Sequence, residues 1–122
     1  MQEANRFQKL VADAKKHVTE IAPEAARGQA KSGRAVLIDV REDSDWMEGH
    51  AESARHLSRG IIELEIEEAV PDPATPIVCY CGGGSRSALV AESLQKMGYT
   101  NILSLAGGMK AWKAAGLPVA KD

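Results

Sequence analysis

Apolar residues recur along the chain with two different periods. Near the start, Phe7, Leu10, Val11, Ala14 and Val18 fall at helical spacing, with Arg6, Lys9, Asp13, Lys15 and Lys16 elsewhere. This predicts an amphipathic helix over about Gln2–His17. Pro23 suits the first turn of a second helix that runs to about Lys31 and ends at Ser32-Gly33. Ala35-Val36-Leu37-Ile38-Asp39-Val40 is a nearly continuous apolar run, as expected of a strand covered on both faces. A short helix is predicted over Ser44–Glu48, a turn at Gly49-His50 and a short strand over Ala54–Leu57. After Arg59-Gly60 comes a Glu-rich segment with Ile61, Leu64 and Ile66 expected to face inward. Pro71, Pro73 and Pro76 predict an extended loop.

The run Ile77-Val78-Cys79-Tyr80 then reads as a buried strand. It leads into Cys81, three glycines and Ser85-Arg86-Ser87, after which Val90, Leu94 and Met97 take up helical spacing, with Gly98 as the cap. Asn101–Leu105 reads as the last strand. Gly107-Gly108 opens a final helix with Met109 and Trp112 inward, which Gly116 caps and Pro118 stops. Alternating strands and helices predict an α/β fold around a mainly parallel sheet. Ligands bind such sheets beyond the carboxyl ends of the strands, where both Cys81 and Asp39-Arg41 fall.

Cys81 is the candidate nucleophile. A glycine-rich turn into a helix points successive amides inward as an anion-binding nest, and the helix dipole adds to it. A thiol placed there loses its proton easily. Cys79, inside the strand, reads as a small buried apolar residue. A metal pair Cys79-x-Cys81 is not supported, because no further cysteine or spaced histidine completes a site.

Composition narrows the class. The chain has 122 residues, enough for one core, with Lys+Arg 15 against Asp+Glu 17 and a net charge of -2. Nothing in this balance calls for nucleic acid or an anionic membrane as partner. Two cysteines do not make a disulfide framework, no apolar run approaches membrane-spanning length, and Met1–Arg6 does not resemble a signal peptide. The expected setting is the reducing cytoplasm.

Four motifs in order carry a more specific resemblance: L-I-D-V-R-E at Leu37–Glu42, G-H at Gly49-His50, C-x-x-x-x-R-S at Cys81–Ser87 and L-x-G-G-x-x-A-W-x-x-A-G-L-P-V at Leu105–Val119. Together they resemble a single-domain rhodanese over about Ile21–Val119. The chain departs at Gly49-His50-Ala51-Glu52-Ser53-Ala54, where the family often has G-H-I-P-G-A, and in its N-terminal helix. The resemblance implies a central five-stranded, mainly parallel sheet flanked by helices on both faces, with residues 1–20 as a helical extension and 21–122 as the rhodanese-like domain. It also implies a sulfurtransferase without metal or cofactor. Cys81 attacks the outer sulfur of thiosulfate or a similar donor, becomes a persulfide, and passes the sulfur to cyanide or a small or protein thiol. Gly82, Gly83, Gly84, Ser85, Arg86 and Ser87 would bind the substrate and the charged sulfur.

Other residues have weaker claims. In this family Asp39 and Arg41 more often form an internal ion pair that holds loops. Arg86 reads equally as an anion partner and as a structural ion pair, and Arg59 equally as a pocket cation and as a solvated surface residue. His50 reads as a satisfied loop histidine, Trp46 and Trp112 as core, and Glu63, Glu65, Glu67 and Glu68 as a solvated face. Two other classes stay open: a persulfide carrier with little turnover, and a cysteine phosphatase or arsenate reductase on the same fold. The related cell-cycle phosphatases use a loop one residue longer than Cys81–Arg86, which favours sulfur over phosphate.

Overall fold

The computed structural model describes residues 4–121. In chain order the elements are α1 (Arg6–Lys15), β1 (Thr19–Ile21), α2 (Pro23–Lys31), β2 (Val36–Asp39), α3 (Asp43–Glu48), β3 (His50–Ala51), β4 (Arg55–His56), α4 (Ile62–Ala69), β5 (Ile77–Tyr80), α5 (Ser85–Lys96), β6 (Ile102–Leu105), α6 (Gly108–Ala114) and β7 (Val119–Ala120). Five strands form one sheet in the order β1-β6-β5-β2-β4, and every neighbouring pair is parallel. β3 and β7 form a separate antiparallel pair.

The unbroken apolar runs follow from this architecture, because the central strands are covered on both faces. Side chains alternate across the sheet. Ile38, Val40, Cys79 and Cys81 pack with Ile62 and Ile66 of α4 and with Val90 and Leu94 of α5. Leu37, Val78 and Tyr80 pack with Ala26 of α2 and with Met109 and Trp112 of α6. A small third cluster, Val11, Ala14 and Leu89, fastens α1 to α5. Among the described residues, no helix is long and apolar enough to cross a membrane.

Several expectations need correction. The helix predicted from Gln2 starts at Arg6, where the Asn5 side chain accepts from the Gln8 amide at 2.8 Å and Gln8 Oε1 accepts from the Asn5 amide at 2.9 Å. Gln2 itself lies outside the described residues. Phe7 and Leu10 are exposed, so the buried stripe of this segment is Val11, Ala14 and Val18. Thr19–Ile21 is an edge strand that its short, mostly exposed sequence does not announce. His50 begins β3 rather than completing a turn, and β7, not Asn101–Leu105, is the last strand. In α4 the buried pair is Ile62 and Ile66, at i and i+4, while Leu64 is 84% exposed on the opposite face. Met97 follows the last turn of α5 and is exposed. Trp46 is half-buried rather than core, stacked on His50 with ring centroids 3.5 Å apart.

Candidate active site

β5 delivers Cys81 at its carboxyl end, and Gly82–Gly84 turn the chain directly into α5. Gly84 takes φ +96°, a left-handed conformation that favours glycine, and a Cβ there would come within 3.1 Å of the Gly107 nitrogen. The turn aims donors at the sulfur. The Gly84 amide donates to Cys81 Sγ at 3.1 Å and the Ser87 amide at 3.4 Å. Ser87 Oγ lies 3.5 Å from Sγ and 2.8 Å from Ser104 Oγ on β6, and both serines are fully buried. In the thiolate state the geometry suits donation from the Ser87 hydroxyl to sulfur and from Ser104 to Ser87.

Burial pushes the Cys81 thiol up, but the Ser87 hydroxyl and the amides of Ser87, Gly84 and Gly83 outweigh it. The thiol therefore sits below its ordinary value of 9.0. Cys79 goes the opposite way. Burial, aided by the nearby Cys81 charge, pushes it up to about 12. The two cysteines sit two positions apart on one face of the strand, and hydrogen bonding to the sulfur separates their chemistry.

The start of α6 backs the loop. The Met109 amide donates to the Cys81 carbonyl at 2.8 Å and the Lys110 amide to the Gly82 carbonyl at 3.1 Å. Gly108, at φ +58°, approaches so closely that a Cβ would run into the Cys81 carbonyl oxygen and the Gly82 backbone. An open cavity of about 360 Å³ adjoins the loop, lined by Arg41, Gly82, Gly83, Met109, Lys110 and Lys113. A Cβ on Gly82 or Gly83 would meet nothing within 4 Å, so these two glycines keep that entrance free of side chains. The sequence marked the doubled glycine only as the opening of α6, not as a close backbone approach, and Ser104 and the two lysines carried no signal beyond strand and helix periodicity.

Asp39 and Arg41 are the internal ion pair that the motif implied. Arg41 Nε lies 3.0 Å from both Asp39 carboxylate oxygens, and Nη2 lies 2.8 Å from Oδ2 and 2.7 Å from the Gly49 carbonyl. The Tyr80 hydroxyl donates to the same carboxylate and accepts from the Ala51 amide, so this network ties β2, β3 and β5 together beneath the loop. Arg86 stands 3.9 Å from Glu42 and is half-buried at the start of α5. Arg59 is exposed, does not line the cavity, and has its amide bonded to the Val40 carbonyl. His50 is buried, with Nδ1 3.0 Å from the Ala51 carbonyl.

This is a dry thiol with a lowered pKa, held by amides and a hydroxyl, beside a cavity with cations on its rim. A thiol in this environment can act as a nucleophile.

Known proteins share this arrangement of chain. The thiosulfate sulfurtransferase GlpE of Pseudomonas putida is 36% identical over 94 residues, covering 77% of this chain and 84% of that protein. Among solved structures, a Rhodopseudomonas palustris protein of unknown function, named a possible tyrosine phosphatase, superposes with a TM-score of 0.84 at 27% identity over 98% of both chains. The polysulfide-sulfur transferase homodimer of Wolinella succinogenes superposes with a TM-score of 0.79 at 29% identity, covering 93% of this chain and 86% of the other. The model of the rhodanese-like domain matches residues 22–115, and the chain belongs to the rhodanese-like domain family.

Proposed function

We propose that the chain is a sulfurtransferase that moves a sulfane sulfur from thiosulfate or a similar donor to a thiophilic acceptor, cyanide or a thiol, through a persulfide on Cys81. The observation that carries this reading is the convergence of the Gly84 and Ser87 amides on a buried sulfur whose pKa is lowered. The Cys81 thiolate attacks the outer sulfur of thiosulfate, a new S–S bond forms, and sulfite leaves with the electron pair of the broken bond. The acceptor then attacks the outer sulfur of the persulfide, and the Cys81 thiolate leaves with its electron pair. Neither step needs a general base, metal or cofactor, because Cys81 is an anion at the start and at the end. Amide and hydroxyl contacts to a charged sulfur contribute about 1.5–3 kcal/mol each. Asp39 and Arg41 hold the floor of the site, and both cysteines are free thiols, which suits a reducing, cytoplasmic setting. The relation to the Pseudomonas putida thiosulfate sulfurtransferase supports the same chemistry.

The name of the Rhodopseudomonas palustris relative favours a second reading, a cysteine phosphatase. Four residues separate Cys81 from Arg86, and this short loop closes on one sulfur atom rather than on a tetrahedral phosphate. Intact-mass measurement after thiosulfate treatment distinguishes the readings. The sulfurtransferase gains one sulfur, removable by cyanide and absent in Cys81→Ser. An unchanged mass together with efficient Cys81-dependent hydrolysis of an aryl phosphate would establish the phosphatase. Stable sulfur loading with slow release to every small acceptor would mark a persulfide carrier.

A further inference from the structure

The sulfurtransferase reading, on which this inference rests, leaves the acceptor open. We propose that Lys110 and Lys113 select, at the acceptor step, a small thiol that carries carboxylates. Three observations lead there. The first is placement. Lys110 and Lys113 lie three positions apart on α6 and so share a face, and both line the cavity beside Gly82 and Gly83. Their helix cannot drift from the loop, because the Met109 and Lys110 amides are bonded to the Cys81 and Gly82 carbonyls and Gly108 is packed on that same backbone.

The second is charge. Both lysines are exposed, and among the described residues neither enters an ion pair. Arg41, the other cation on the lining, already serves the Asp39 carboxylate and the Gly49 carbonyl. The lysines are therefore the free positive charge of this cavity, in a chain whose net charge is -2. Cations at the wall of a cleft raise the local concentration of anions and speed their entry.

The third is room. The cavity of about 360 Å³ falls within the size range of organic ligand sites, and a water molecule takes roughly 30 Å³ of liquid volume. Cyanide or thiosulfate would leave most of it to solvent. An organic thiol with carboxylates would fill it, with its carbon skeleton over Met109, its charges toward the lysines and its sulfur toward Gly82 and Gly83. Transfer needs no further reactant. The acceptor thiolate forms a bond to the outer sulfur, the Cys81 S–S bond breaks, and the Cys81 thiolate leaves with the electron pair. The acceptor ends as a persulfide anion, with no net oxidation.

The test isolates the acceptor step. Cys81 is loaded with thiosulfate, the donor is removed, and loss of the protein persulfide is followed by intact mass against mercaptosuccinate, 3-mercaptopropionate or 2-mercaptoethanol, each at matched thiolate concentration. The wild type is expected to prefer mercaptosuccinate over mercaptoethanol, with mercaptopropionate between. In Lys110→Gln/Lys113→Gln that preference should fall about fivefold to tenfold, mainly through weaker saturation by mercaptosuccinate, and Lys110→Arg/Lys113→Arg should restore it. Added salt should erode the preference in the wild type but hardly in the glutamine variant. If persulfide loads on Cys81 but the preference is the same in wild type and glutamine variant, the assignment to the lysines is wrong while the sulfurtransferase reading stands. If thiosulfate loads no sulfur on Cys81, both are wrong.

Discussion

The Tyr80 hydroxyl donates to Asp39 Oδ2 at 2.7 Å, linking residues that are register partners on β5 and β2. Tyr80 immediately precedes Cys81, yet its ring packs on the α2 and α6 face of the sheet while Cys81 joins the α4 and α5 face. The hydrogen bond thus fixes the last strand residue before the nucleophile from the opposite side. Tyr80→Phe removes a donor from a fully buried carboxylate and the acceptor of the Ala51 amide. The expected loss of stability is about 1–3 kcal/mol, read as a lower midpoint in urea with an unchanged slope. An unchanged midpoint would mean that the hydroxyl does not support this network.

Cys81→Ser is expected to abolish thiocyanate formation from thiosulfate and cyanide, and Cys79→Ser to retain most of it. The contrast follows from the opposite shifts of the two thiols. Equal loss in two folded variants, judged by circular dichroism, would break the assignment of Cys81 as the sulfur carrier.

Alkylation of Cys81 by iodoacetamide should rise with pH around a midpoint below 9.0. Ser87→Ala removes the hydroxyl and should move the midpoint upward, with the amides still in place. The same shift gives a stability window. The folded pKa is depressed, so the thiolate's contribution is fully present above the unfolded value and is lost as pH falls through the folded one. Relative to Cys81→Ser, the wild type should gain stability as pH rises toward 9.0. Cys79 has the opposite sign, because its folded value is raised to about 12 and it costs stability once unfolded thiols ionise, above 9.0. A midpoint at or above 9.0 would mean that the amides do not favour the anion.

One glycine inserted between Gly83 and Gly84 widens the loop and displaces the Gly84 amide from its 3.1 Å contact with Sγ. Persulfide formation should fall about tenfold to a hundredfold, since one charge-assisted hydrogen bond is lost or lengthened. The unmodified protein should hydrolyse aryl phosphates negligibly. Efficient phosphate release by the unmodified protein, with no sulfur loading, would reverse the assignment.

The Cys81 loop and the parallel sheet were legible because each has a local cause. Ile77–Tyr80 is apolar at every position because both faces of β5 are covered, and Gly84 marks a backbone turn that favours glycine. β1 and β7 were not legible. They run for three and two residues, and pairing with a partner strand, not their own pattern, makes them strands. Leu64 was misplaced because Ile61, Ile62, Leu64 and Ile66 allow more than one helical phase, and only packing on β2 and β5 selects Ile62 and Ile66. Ser104 reads as one strand residue among four, and its place behind Ser87 depends on β6 lying beside β5. Lys110 and Lys113 lie on the exposed side of α6, and nothing in the helix pattern marks that this side borders Gly82 and Gly83.

Cys81 is only 1% exposed, although it is the atom expected to react. A sulfur bonded to it would stand about 2 Å beyond Sγ, the length of an S–S bond. The thiolate and its cargo would therefore differ in reach: the resting sulfur is met only by small reagents, and the transferred sulfur is the part held out to the next molecule.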